Sequence, residues 1–164
     1  MGYTMELTLP EFEVAINTAR LRIVASAMQR LNHASTYQRD LVKRLDEEVV
    51  GACGEMAVGK ATGRWFVPSV NTFHRTPDCL KDVEVRATAL PTGSLIVREN
   101  DADDRRFVLA IVQAPRVTLV GWMTGSEAKQ PEFSRDPHGH RQAWFVPQDR
   151  LHPITPETLA AWAN

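Results

Sequence analysis

The order of periodic segments predicts an α/β protein of the α+β kind, with a mixed sheet. Three observations carry that prediction. Two long stretches repeat apolar residues every three or four positions before residue 63; short β-branched runs bounded by turn residues take over from Asp82; one more helical stretch closes the chain. No internal repeat, low-complexity segment or linker interrupts the order, so 164 residues with 43% hydrophobic and 24% charged side chains predict one domain with a full core.

Thr8 followed by Pro10 and Glu11 has the spacing of a capping box. Phe12, Ile16, Ala19, Ile23, Ala27 and Leu31 then form one apolar stripe, which predicts a first helix to about Leu31. Arg20, Arg22 and Arg30 lie off that stripe, free to meet solvent or a phosphate backbone. Ser35 with Gln38 repeats the capping pattern for a second helix that Gly63 ends. On it Leu41, Leu45, Ala52 and Met56 share a side, with Glu48 and Glu55 on its edge. A carboxylate there must meet a cation, a metal or water, because burying it unpaired is costly. Gly51, Gly54 and Gly59 allow this helix to approach a sheet closely.

Residues 65–70 read as an edge strand because Pro68 cannot donate to a ladder. Residues 71–81 read as a loop carrying His74 and Arg75. In the strand that follows, Val83 and Val85 face one way while Asp82, Glu84 and Arg86 face the other. Pro91-Thr92-Gly93 predicts a turn into a short strand at 94–98. The acidic loop at 99–105 lacks the glycine and terminal glutamate of an EF-hand, so it reads as a solvated hairpin tip. Residues 106–113 and 116–123 are near-continuous apolar runs, predicting central strands covered on both faces, with the two N-terminal helices as the cover. Residues 124–141 are polar and rich in Gly, Pro and His, which predicts a mobile flap; His138 and His140 lack the cysteines that would make a zinc site. A last strand at 143–146 and a helix at 155–162 complete the order.

A net charge of −1 gives no whole-molecule attraction to nucleic acid. Of the 19 basic residues 15 are arginine, whose planar fork suits phosphate, although GC-rich coding gives the same bias. Cys53 and Cys79 form no CxxC, which predicts neither a disulfide framework nor structural zinc and favours a reducing compartment. No apolar run spans a bilayer, residues 1–8 lack a signal-peptide pattern, and Glu6 stands where a myristoylation signal needs Ser or Thr. The expectation is a cytoplasmic protein without a membrane partner.

Asp78, after Pro77, together with Glu84-Val85-Arg86, resembles the signature of the PD-(D/E)XK nuclease superfamily. Small phage and prophage members are similar over residues 51–153, from a helix reading Gly51-Ala-Cys-Gly-Glu55 to a strand end at Gly121-Trp122. The resemblance implies a restriction-endonuclease-like core at 34–153, an added N-terminal helix within 1–33 and a C-terminal helix at 154–164. It also implies a Mg²⁺ or Mn²⁺ ion held by Asp78, Glu84, the Val85 main-chain carbonyl and Glu55, and hydrolysis of DNA phosphodiesters. The family lysine is Arg86 here, and arginine does not release its proton. Arg86 would then stabilise the developing phosphorane charge or orient water, leaving proton abstraction to metal-bound hydroxide or another residue. Lys60 and Lys81 are the nearest lysines, and neither is placed to replace it.

Two other readings stay open. One is an inactive nuclease fold that binds nucleic acid or a host or phage protein. The other is a metal-free structural accessory, with the 82–86 strand merely charged on its outer face. The sequence leaves the oligomeric state open and is compatible with a homodimer.

Overall fold

A computed structural model describes residues 2–31, 41–64, 80, 82–136 and 142–163. The predicted start of the second helix at Ser35, the strand at 65–70, and His74, Arg75, Asp78, Cys79, Lys81, His138 and His140 lie outside the described residues.

The elements run β1 (Tyr3–Glu6), α1 (Leu9–Leu31), α2 (Leu41–Ala61), β2 (Val83–Thr88), β3 (Leu95–Arg98), β4 (Arg106–Gln113), β5 (Arg116–Thr124), α3 (Gly125–Ala128), β6 (Ser134–Arg135), β7 (Ala143–Val146) and α4 (Pro156–Ala163). The Glu11 carboxylate accepts from the Thr8 backbone N–H at 2.6 Å, so half of the capping box read from the sequence is in place at the start of α1. Gly63 ends α2 with φ +66°; its N–H donates to the Lys60 carbonyl and that of Arg64 donates to the Gly59 carbonyl. Those two bonds are the Schellman pattern, which favours glycine at the left-handed position.

Among the described strands the pairing gives two sheets. The larger has the order β1-β5-β4-β2, with β2 parallel to β4 and the other pairs antiparallel; the smaller has the order β3-β7-β6 and is antiparallel throughout. Alternation along β4 divides the core. Val108, Ala110 and Val112 pack with Ala52, Cys53, Met56 and Ala57 of α2 and with Leu159 and Trp162 of α4. Phe107, Leu109 and Ile111 pack with Leu95, Val97 and Val146 of the smaller sheet. The layers are therefore helices, large sheet, small sheet.

This corrects three expectations. The central strands are covered on both faces as predicted, but the second cover is the small sheet and not a helix. β1, absent from the sequence reading, pairs with β5 in the register Tyr3↔Leu119 to Glu6↔Arg116. Residues 125–136 are no flap: α3, a single 3-10 turn at Pro131–Phe133 and β6 fill the segment, and Ala128 and Phe133 are buried in the second core. Four residues of β1 are too few for a period to show, and the polar side chains of 125–136 mask two inward apolar positions.

Close helix–sheet approach is set at Gly54, where an added Cβ would lie 2.9 Å from the Ala87 Cβ and 3.2 Å from Val85 Cγ1. Gly54→Val should therefore push α2 off the sheet and cost about 1–3 kcal/mol, read as a lower midpoint in urea unfolding.

Candidate functional site

Glu84 and Arg86 are two residues apart on β2 and project to the same face. Val83 and Val85 take the opposite face, in the helix-side core. Glu84 therefore points toward the small sheet, where it is only 6% exposed. A buried carboxylate needs partners, and it has two: Arg86 Nη1 lies 2.6 Å from Oε1 and Arg105 Nη1 2.8 Å from Oε2. Arg86 is committed in turn. Its Nη2 donates to Asp101 Oδ2 at 2.8 Å, its Nε donates to the Ile96 carbonyl at 3.2 Å, and its guanidinium lies 5.3 Å from the Phe107 ring centroid. Burial alone would lower the Arg86 pKa, but the charges of Glu84 and Asp101 raise it above its ordinary value, so it stays a cation.

Asp101 Oδ2 also accepts from the Arg98 backbone N–H at 2.8 Å. Ile96 O and Arg98 N are main-chain groups of β3, an outer strand of the small sheet. The Arg86–Asp101 pair thus occupies groups that a further strand would otherwise use, and it ties β2 to β3 across the second core. This network is an ionic clamp between two sheets.

Glu55 has different surroundings. It lies on α2, 5% exposed, and both its oxygens accept from Arg22 of α1, at 2.8 and 2.7 Å. Glu48 Oε2 is 3.9 Å from the same guanidinium. Pairing with arginine is one of the outcomes the helix-edge position allowed. Its chain neighbour Gly54 meets Val85, Ala87 and Ala110, which places Glu55 on the helix side of the large sheet. Glu84 is on the other side. The expected convergence of these two acids is not formed, because strand alternation turns Glu84 away from the helix that carries Glu55. Asp78, the third expected ligand, lies outside the described residues, and Val85, whose main-chain carbonyl was the fourth, pairs with Val108 of β4. Among the described residues no group of three or more His, Cys, Asp or Glu is placed to hold a metal ion. The described donors therefore do not fit a Mg²⁺ or Mn²⁺ centre: each Glu84 oxygen already faces a guanidinium, and Glu55 is across the sheet.

Sequence reasoning missed three members of these networks. Helical spacing puts Arg22 on a face open to solvent or phosphate, and composition puts Asp101 and Arg105 in a solvated loop. The loop is pinned from within: Lys129 Nζ donates to the carbonyls of Glu99 and Asp101 at 3.2 and 2.5 Å and to Asp103 Oδ1 at 2.7 Å. An ammonium here fills the place where a cation would otherwise sit among those oxygens.

Beside the clamp a cleft of about 470 Å³ opens between β2, the turn after it and β3. Arg86, Thr88, Thr92, Ser94, Ile96, Arg98 and Phe145 are among its lining residues. The Gln148 amide braces the turn by donating to the carbonyls of Pro91 and Gly93 at 2.8 and 2.9 Å. Arg98 is exposed, and its side chain makes no ion pair among the described residues. Cys53 is buried in the helix-side core and its thiol is pushed up to about 11 by burial, which leaves it a packing residue and not a nucleophile. No described helix is long and apolar enough to cross a membrane.

Compared with protein-family profiles, with curated proteins and with solved structures, the chain gives no match.

Proposed function

We propose that this chain is a metal-independent nucleic-acid-binding module, built on a nuclease-like core whose acids have been taken over by arginine. The observation that carries this reading is the pairing of both Glu84 oxygens with Arg86 and Arg105, which leaves neither free to share a cation with a phosphate. The adjacent cleft supplies what phosphate binding needs. Arg98 offers a charged fork, and Thr88, Thr92 and Ser94 bring hydroxyls to the same walls.

The test is fluorescence anisotropy with labelled single-stranded and duplex DNA, in EDTA and in Mg²⁺. The expected result is binding no weaker in EDTA than in Mg²⁺, since Mg²⁺ only competes for the phosphates, and weakened about 10-fold by Arg98→Ala, the scale of one lost charged hydrogen bond. Binding that disappears in EDTA, or that Arg98→Ala leaves intact, contradicts the proposal.

A second reading, a Mg²⁺- or Mn²⁺-dependent DNA endonuclease of phage type, is favoured by one observation: the Glu84-x-Arg86 pair is formed, and Arg86 lines the cleft. Plasmid DNA nicked in Mn²⁺ by the wild type and left whole by Glu84→Gln would select that reading over the first.

A further inference from the structure

Helix α1 is apolar on two opposite faces. Ala15, Ala19 and Ile23 are buried against the rest of the protein, whereas Val14, Leu21, Val24 and Met28 are 38%, 47%, 48% and 64% exposed. A surface helix normally keeps one face polar, and a helix apolar on both sides is normally covered on both. The exposed residues have a definite register. Positions 14, 21 and 28 are seven apart and 24 follows 21 by three, the spacing of a helix-pairing seam; the remaining seam position is Asn17. A polar residue inside an apolar seam fixes register between paired helices at some cost in affinity.

Charge identifies the occupant. Glu13 and Arg20 lie along the same flank of this stripe, seven residues apart, a rise of about 10 Å along the helix that keeps them from pairing within one chain. Neither makes an ion pair among the described residues. We infer that the outer face of α1 is covered by the α1 of a second copy of this chain, running antiparallel about a two-fold axis near Asn17. That axis sets Glu13 of each copy beside Arg20 of the other and satisfies both flanks at once. The same operation brings Leu21 of each copy over Val14 of the other and the two Asn17 amides together at the axis. A parallel copy in register offers no base at the level of Glu13. A closed two-fold pairing uses one self-complementary patch, which this stripe supplies.

The experiment is sedimentation velocity of the full chain over a concentration series. The wild type sediments as a dimer, and Leu21→Glu weakens association by about 30-fold or more, the scale of a central interface residue. Leu21 is solvent-exposed in one chain, so a far-UV circular dichroism spectrum matching the wild type and a cooperative unfolding transition will show that the variant is folded. Glu13→Arg and Arg20→Glu each weaken the dimer, and the double charge swap restores it. A wild type that is monomeric at every concentration overturns the inference, including where a different protein or a lipid vesicle proves to take the stripe. A dimer indifferent to Leu21→Glu, or single swaps as tight as the double swap, overturns it equally.

Discussion

Arg86→Met should lower the melting temperature by roughly 10 °C, because breaking one side of a buried ion-pair network costs about 3–5 kcal/mol and a chain of this size melts about 2–4 °C lower per kcal/mol. The substitution keeps the apolar stem but removes every donor. Glu84 is left with Arg105 alone, Asp101 loses its guanidinium partner, and the Ile96 carbonyl loses its cap. Differential scanning calorimetry reads the loss. Arg86→Lys sharpens the test, since it restores the family lysine. In a clamp, the shorter ammonium keeps the charge but cannot span three acceptors, so stability falls by less than in Arg86→Met and no cleavage appears. In a nuclease motif, the same substitution should raise Mn²⁺-dependent DNA cleavage.

The second large effect is expected at Arg22. Arg22→Met withdraws the fork that holds both Glu55 oxygens between α1 and α2, and should cost about 3–5 kcal/mol in urea unfolding. The double variant Arg22→Met with Glu55→Met removes both charges and should regain most of that loss, since an apolar pair of similar volume often replaces a buried ion pair at little cost. Were Glu55 instead needed as a metal ligand, the double variant would lose DNA cleavage while keeping its stability.

Local features were legible in the sequence where physics acts over a few residues. The Thr8–Glu11 cap, the glycine that ends α2 and the two apolar runs of β4 and β5 are read from neighbours in the chain. The charged face of β2 was legible too, because alternation is local. Which layer that face meets is not. It depends on β3 and β7 forming a separate sheet over Phe107 and Leu109, a non-local choice that no pattern within β2 records. Glu55 shows the same limit: its position on the helix edge was readable, but its partner Arg22 lies 33 residues away on another helix. The family resemblance implies a metal-ligand role for both acids, and both meet arginine in the fold.

The proposed closure of Glu84 to metal by its two arginines is tested most directly by thermal unfolding of the wild type and Glu84→Gln, each in EDTA and in Mn²⁺. The predicted result is a wild-type melting temperature indifferent to metal, with Glu84→Gln lower by the same amount in both buffers. A wild-type melting temperature that rises with Mn²⁺, and a Glu84→Gln variant that shows no such rise, would contradict it.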